Sequence, residues 1–136
     1  MTKTIVFTSM VADLFHFGHL ELLRRCRDLG DFLVVGIIRD EEVLRYKKRM
    51  PVIPFNQRLE IVRNIAFVDD VISQDSRDGS KNLRKLGNVD LLVRGDDVIL
   101  DQEVGTIKEL GGKFVQLKRT PDISTSSIIG RIKNKY

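Results

Sequence analysis

Residues 4–38 read TIVFTSMVADLFHFGHLELLRRCRDLGDFLVVGII, and this stretch decides the fold. The apolar run at 4–9 predicts a buried strand, and a second apolar run predicts another strand at 31–38. Between them, residues 20–29 have the apolar spacing of a helix. A near-continuous apolar run such as 31–38 is typical of a central parallel strand covered on both faces. The stretch therefore predicts a strand, a helix and a second strand parallel to the first.

The rest of the chain continues this alternation. We expect further strands at 68–73, 89–93 and 113–117. We expect further helices at 40–47, after Asn56 as a cap, at 81–87, at 103–110, and after a cap at Ser124 or Thr125. Five strands that alternate with helices predict an α/β fold. This fold is a single Rossmann-like domain over residues 1–136, with an open five-stranded parallel sheet and helices on both faces.

The bulk composition is that of an ordinary globular protein, with 42% hydrophobic and 31% charged residues. No apolar run approaches the roughly 20 residues that span a bilayer, and no signal peptide is apparent, so we expect no membrane insertion. A single cysteine, Cys26, excludes an internal disulfide and favours a cytoplasmic location. The net charge of +4 fits a polyphosphate ligand. The sequence contains no basic stripe with interleaved aromatic residues, so we expect no nucleic-acid partner.

The only two histidines, His16 and His19, flank Gly18 at the start of the first predicted helix. Two imidazoles three residues apart at a helix start lie on one face, beside backbone N–H groups that have no partner inside the helix. This arrangement suits the binding of nucleotide phosphates and the stabilisation of charge on a reacting phosphate. The alternative is a surface pair without a role, but the strand-loop-helix context favours a site.

Polar residues follow three of the predicted strands. His16 and His19 follow the first strand, Asp96 follows the fourth, and Arg119 with residues 124–126 follows the fifth. Ligands of open parallel sheets bind beyond the carboxyl ends of the strands, where the strand order reverses. We therefore expect these residues to meet in one pocket.

The histidine motif and three later segments resemble the cytidylyltransferase family over nearly the whole chain. Lys48 lies ten residues ahead of Arg58 in a family-like loop and helix. Residues 94–97 read RGDD, and residues 118–126 read KRTPDISTS. The histidine motif alone marks a broader superfamily of nucleotidyltransferases. The late Arg-Thr and Ile-Ser-Thr run favours CTP as the nucleotide.

This resemblance implies a reaction in which a phosphate oxygen of an acceptor attacks the α-phosphate of CTP. Pyrophosphate then leaves and a CDP-alcohol forms, with no covalent enzyme intermediate. The implied partners are CTP and a phosphorylated small alcohol or polyol of the glycerol-3-phosphate or phosphoethanolamine type. Mg²⁺ is expected to arrive with the nucleotide and not in a metal site of the protein. The resemblance also implies a homodimer.

The resemblance assigns catalytic roles to His16, His19, Lys48 and Arg119. It assigns binding roles to a larger set, which is Ser9, Met10, Val11, Asp13, Gly18, Arg58, Gly95, Asp96, Thr120, Ile123, Ser124, Thr125 and Ser126. Within this set, Asp96 would contact the ribose or the base. Asp13 would orient the histidine loop or assist the metal, and Arg58 would contact a phosphate or the acceptor.

The sequence departs from the family pattern at Met10 and Ala12, where the family has a glycine and an aromatic residue. Met10 places a side chain where backbone should pass close to the nucleotide. This side chain either folds away from the pocket, alters the acceptor or impairs the fit of the nucleotide. Two alternatives therefore stay open: an adenylyltransferase acting on a sugar phosphate, and a CTP-binding module that has lost turnover.

Overall fold

The computed structural model describes residues 3–136, in which helices and strands alternate along the chain. The elements are β1 (Ile5–Met10), α1 (Phe17–Asp28), β2 (Phe32–Ile38), α2 (Asp40–Lys47), α3 (Phe55–Arg63), β3 (Asp70–Gln74), α4 (Ser80–Leu86), β4 (Leu91–Gly95), α5 (Asp101–Glu109), β5 (Lys113–Leu117) and α6 (Thr125–Lys135). None of these helices combines the length and the apolar character needed to cross a membrane.

The strands form one parallel sheet in the order β3-β2-β1-β4-β5. The chain runs outward from β1 through β2 to β3, then returns to the other side of β1 to form β4 and β5. The strand order therefore reverses between β1 and β4. The loops after these two strands diverge at this point, which leaves a crevice at the carboxyl edge of the sheet.

Both faces of the sheet are covered by helices, because each face buries its own apolar cluster. On one face, Leu23 and Cys26 of α1 and Val62 of α3 pack in the same cluster as the sheet residues. On the other face, Leu83 of α4 and Ile107 of α5 do so. These five side chains are fully buried. The predicted α/β sheet of five parallel strands with helices on both faces is confirmed.

Element boundaries differ from the sequence expectations where capping decides them. The first helix begins at Phe17, three residues before the expected start, because His16 caps it. The predicted cap at Asn56 is wrong, since Pro54 precedes the helix and Asn56 lies inside its first turn. Proline is well placed at a helix start because its fixed φ suits the helix and its missing N–H is not needed there.

Candidate functional site

A cavity of about 410 Å³ opens at the carboxyl ends of the strands, where the strand order reverses. Its lining comes from the loops after β1, β4 and β5, from α2, and from the connection between β3 and α4. The structure brings together at this cavity all of the predicted site residues except Lys48, Arg58 and Asp96.

His16 and His19 cap the first helix and hold each other in place. The Nδ1 atom of His16 accepts a hydrogen bond from the Gly18 N–H at 3.0 Å, and the Nδ1 atom of His19 accepts one from the His16 N–H at 3.1 Å. Because a backbone N–H can only donate, both Nδ1 atoms are unprotonated, and each neutral ring carries its hydrogen on Nε2. The pair therefore offers two Nε2–H donors to a ligand in the cavity.

Both imidazoles are neutral at pH 7. Burial and, to a smaller extent, the neighbouring His16 lower the pKa of His19 from 6.5 to about 3, against the opposing effect of Asp13. Burial also lowers the pKa of His16. The ring centres are 3.9 Å apart, a distance at which two charged imidazoles would repel each other strongly. The two rings thus act as hydrogen-bond donors without carrying charge of their own.

Gly18 is required by the position of the His16 ring. A Cβ atom at residue 18 would lie 2.8 Å from Cε1 of His16 and 3.2 Å from Cγ2 of Ile123. Both distances are shorter than ordinary van der Waals contact. A side chain at this position would therefore push the His16 ring out of its hydrogen bond with the helix.

Asp13 links the histidine loop to two other segments of the cavity. Its carboxylate accepts the Val52 N–H at 2.8 Å through Oδ2 and the Ile53 N–H at 2.9 Å through Oδ1. Its backbone carbonyl accepts the hydroxyl of Thr125, at the start of α6, at 2.8 Å. Of the two roles expected for Asp13, this geometry favours orientation of the loop.

Arg58 does not reach the cavity, and the predicted contact with a phosphate or the acceptor is wrong. Its side chain is fully buried. The guanidinium donates to the carbonyls of Ile53 at 2.9 Å and Ile38 at 3.0 Å, to that of Val11, and to Oδ1 of Asp40 at 2.6 Å. Arg58 therefore fixes the backbone beneath the site, because its donors are engaged within the protein.

The lysine that faces the cavity is Lys47 and not the predicted Lys48. Both lysines are exposed, but Lys48 does not line the cavity and ends α2 in the left-handed conformation, with φ 61°. Lys47 borders the cavity together with Val43 and Tyr46, which lie on the same helical face. Burial lowers the pKa of Lys47, as does Arg49, while Asp13 opposes the shift. The spacing of Val43, Tyr46 and Lys47 along the helix is visible in the sequence, and it could have identified Lys47 as the lysine on the cavity side.

The two aspartates after β4 also differ from the expectation, since Asp97 and not the predicted Asp96 lines the cavity. Asp96 lies outside the cavity lining, where its Oδ1 accepts the Arg119 N–H at 3.2 Å. Asp97, which was not among the predicted site residues, borders the cavity, and its Oδ2 lies 3.5 Å from Nη1 of Arg119. Asp96 therefore positions the backbone of Arg119, and Asp97 is the carboxylate that a ligand would meet.

Gly95, Asp97, Arg119 and residues 123–126 form one side of the cavity, which we call the β5–α6 wall. The Ser124 hydroxyl caps α6 by accepting the Ser127 N–H at 3.0 Å. The first turns of α1 and α6 contain no acidic residue, in contrast to those of α2 and α5. The partial positive charge at these two helix starts is therefore available to an anion.

Tyr46, Lys47, Arg49 and Arg77 form the opposite side, which we call the α2–β3 wall. Arg77, in the connection between β3 and α4, was not among the predicted site residues. Its guanidinium carbon lies 4.7 Å from the centre of the Tyr46 ring. No sequence signal marks Arg77, because its neighbours at 75–79 are ordinary polar loop residues.

Arg94 borders the cavity and forms a buried ion pair with Glu103. Its Nε and Nη2 atoms each lie 2.7 Å from a carboxylate oxygen of Glu103, which is fully buried. Because both groups are desolvated, each depends on the other to satisfy its charge. The pair lies where the ends of β1 and β4 meet the loop that carries Arg77, since Arg94 also donates to the carbonyls of Ser9 and Arg77.

Met10 packs into the apolar cluster beside α1, although it still borders the cavity. Its side chain is only 8% exposed and belongs to the same cluster as Val6 and Leu23. Ala12, the other departure from the family pattern, is buried in that cluster with φ 58°. Of the three consequences expected for Met10, the structure supports the one in which the side chain moves aside.

A family model described as cytidylyltransferase-like matches residues 11–131. Ethanolamine-phosphate cytidylyltransferase of Arabidopsis thaliana is 36% identical over 88% of this chain and 30% of its own length. Bifunctional protein HldE of Citrifermentans bemidjiense is 35% identical over 98% of this chain and 28% of its own length. The chain thus spans less than a third of each of these two relatives.

Among solved structures, a lipopolysaccharide core biosynthesis protein from Thermoplasma volcanium superposes with a TM-score of 0.76 and 28% identity. The match covers 88% of this chain and 99% of that one. Pantoate-beta-alanine ligase from Francisella tularensis shares the fold, with a TM-score of 0.57 and 15% identity over 96% of this chain and 69% of that one. Because the family model matches most of the chain, this protein belongs to the cytidylyltransferase-like family.

Proposed function

We propose that this protein is a nucleotidyltransferase that transfers CMP from CTP to a phosphorylated small alcohol or polyol. The observation that carries the proposal is the convergence of two Nε2–H donors and two helix starts without acidic residues on one cavity. Such a set of fixed donors suits a triphosphate whose charge is redistributed during reaction.

In the proposed reaction, a phosphate oxygen of the acceptor forms a bond to the α-phosphorus of CTP as the bond to the bridging oxygen breaks. Pyrophosphate leaves with the electron pair of that bond, so the enzyme needs no nucleophile of its own. His16 and His19 donate hydrogen bonds to phosphate oxygens, and Lys47 and Arg119 neutralise negative charge. These groups lower the barrier by positioning and electrostatic stabilisation.

Mg²⁺ enters this proposal as part of the nucleotide substrate. Within residues 3–136, no group of three or more histidine, cysteine or acidic side chains is placed to hold a metal ion. Asp13 uses both carboxylate oxygens for backbone N–H groups, and Asp97 lies beside Arg119. This donor set fits a cation that is carried mainly by the triphosphate oxygens.

Adenylyl transfer to a sugar phosphate is the second candidate. It is favoured by the match to a protein described as acting in lipopolysaccharide core biosynthesis. The two candidates differ in the nucleotide, since both use the same phosphate chemistry. The third candidate, a CTP-binding module without turnover, is weakened by the position of Met10 in the apolar cluster.

The test is release of pyrophosphate with Mg²⁺ and either CTP or ATP, against a panel of phosphorylated alcohols and sugar phosphates. We expect release with CTP and at least one alcohol phosphate, and none with the His16→Ala variant. Release with ATP alone supports the second candidate. CTP binding without release across the panel, together with release by a Met10→Gly variant, supports a binding module that has lost turnover.

A homodimer and a cytoplasmic setting also belong to this proposal. The buried, unpaired thiol of Cys26 is compatible with a reducing compartment. Sedimentation of the purified chain measures its oligomeric state directly, and a mass of one protomer at micromolar concentration would refute the dimer.

A further inference from the structure

The guanidinium of Arg77 forms no ion pair with a carboxylate within the part of the chain that the structure describes, although the Glu42 carboxylate accepts the Arg77 backbone N–H nearby. The half-buried side chain borders the cavity and lies over the face of Tyr46, with 4.7 Å from the guanidinium carbon to the ring centre. Its hydrogen bonds within residues 3–136 are made by the backbone. An arginine stacked on an aromatic ring keeps its N–H edge free to bind oxygen atoms of a ligand.

The backbone around Arg77 is held by buried charged groups. The Arg77 N–H donates to Oε2 of Glu42 at 2.7 Å, and its carbonyl accepts Nη2 of Arg94 at 2.9 Å. Two residues later, the Gly79 N–H donates to Oε1 of Glu103 at 2.8 Å. The ion pair of Arg94 and Glu103 thus fixes the loop that carries Arg77. A cation held this firmly is a defined element of the site.

Neither of the two carboxylates that line the cavity forms an ion pair with Arg77. Asp13 accepts two backbone N–H groups, and Asp97 lies 3.5 Å from Arg119. Lys47 adds a second cation to the wall that contains Arg77. An ammonium group on a substrate would therefore meet positive charge at this wall, whereas hydroxyl or carboxylate oxygens would meet donors.

We infer that Arg77 selects the acceptor by binding an oxygen-bearing group beyond its reacting phosphate. The acceptor is then a phosphorylated polyol or hydroxy acid and not a phosphorylated amine. This inference rests on the proposed function, because it assigns the β5–α6 wall to the nucleotide and the α2–β3 wall to the acceptor. It also separates this protein from its relatives that are named ethanolamine-phosphate cytidylyltransferases.

Equilibrium binding tests the inference independently of turnover. Calorimetric titration compares glycerol 3-phosphate with phosphoethanolamine, which differ in carrying hydroxyl groups or an ammonium group. In the presence of Mg²⁺ and a non-hydrolysable CTP analogue, we expect the wild type to bind glycerol 3-phosphate at least about tenfold more tightly. Arg77→Ala should reduce this ratio to near one, and Arg77→Glu should reverse it.

A matched set of variants separates selection from loss of structure. Arg77→Lys retains the charge and should keep part of the preference, whereas Arg84→Ala removes an exposed arginine that pairs with Glu109 away from the cavity. Arg84→Ala should leave the ratio unchanged. Thermal melting of each variant shows whether the fold is retained.

Three results would overturn the inference. These are a wild type that prefers phosphoethanolamine, a wild type that binds neither compound, and an Arg77→Ala variant that loses affinity for both compounds equally. Pyrophosphate release distinguishes this failure from failure of the proposed function. Selective binding without release with any nucleotide refutes the function alone, whereas release with phosphoethanolamine as the preferred acceptor refutes the selection by Arg77 alone.

Discussion

The two walls of the cavity are built in different ways. The β5–α6 wall draws most of its residues from one short segment, 118–126, whose serine caps the helix that follows. The α2–β3 wall combines the contiguous stretch 46–49 with the distant Arg77, whose backbone is held by bonds to Glu42 and Arg94. The first wall depends on local conformation, whereas the second depends on buried charges. A contiguous motif can therefore place its polar groups by helix capping, as Ser124 does. Arg77, which is distant in sequence from the rest of its wall, depends instead on the buried ion pair of Arg94 and Glu103.

Loss of the buried ion pair between Arg94 and Glu103 should have the largest effect, which is a loss of folding stability. Glu103→Ala leaves the Arg94 guanidinium buried without its partner, and breaking a buried pair in this way costs about 3–5 kcal/mol of folding stability. We expect urea denaturation to show a loss of this size. Replacement of both partners by apolar residues, as in Arg94→Met with Glu103→Leu, should recover much of it. A Glu103→Ala protein as stable as the wild type would contradict the assigned role of the pair.

His16 and His19 line the cavity but belong to neither wall, and a variant of His19 tests their proposed role as donors to phosphate. His19→Asn places an acceptor near the position of Nδ1 and removes the Nε2–H donor, so the cap is retained while the contact with phosphate is lost. We expect turnover to fall at least about 10²-fold, as is typical for removal of one such donor. Pyrophosphate release measures the rate, and circular dichroism checks the helix. A rate close to that of the wild type would exclude His19 from the reaction.

The lysines at the end of α2 offer a matched pair, of which only Lys47 belongs to the α2–β3 wall. Lys47→Met removes a cation that borders the cavity, and Lys48→Met removes its exposed neighbour. We expect kcat/KM to fall about tenfold or more in the first variant and less than about threefold in the second. Steady-state kinetics with CTP and the preferred acceptor decide between them. The reverse order would restore the role that the sequence assigned to Lys48.

A further effect concerns the dependence of folding stability on pH. The folded state holds the pKa of His19 near 3, below its ordinary value of 6.5, so the unfolded chain binds more protons between these values. Stability contributed by neutral His19 is therefore present above pH 6.5 and is lost as the pH falls through this window. The loss is at most about 1.4 kcal/mol per pH unit. Urea denaturation from pH 7 to 4 measures this slope, which should be shallower in His19→Asn.

The sequence was sufficient for the sheet and for the β5–α6 wall except Asp97, which lines the cavity in place of the predicted Asp96. The apolar run at 31–38 and the capping serine at 124 are local signals, and both act in the structure as expected. Arg58 was misassigned because its distance from Lys48 along the chain does not reveal which way its side chain points. The carbonyls and Asp40 that surround it come from other elements, so only the assembled fold brings them together.

Arg77 shows a second limit of sequence reasoning. Its neighbours at 75–79 have neither apolar periodicity nor a motif, and nothing local distinguishes it from a solvated arginine. Its place at the cavity follows from Glu42 and Arg94, which are 35 and 17 residues away along the chain. A local sequence pattern does not identify side chains that are positioned by such long-range hydrogen bonds.

The mutual cap of His16 and His19 makes the durability of the site depend on one helical turn. Because both rings are oriented by bonds to the backbone of α1, fraying of that turn would release them while the sheet stayed intact. Thermal inactivation and global melting would then be separate events, with the first at the lower temperature. The working lifetime of this site would be governed by a local opening equilibrium at residues 16–19, and the stability of the whole domain would set only its upper limit.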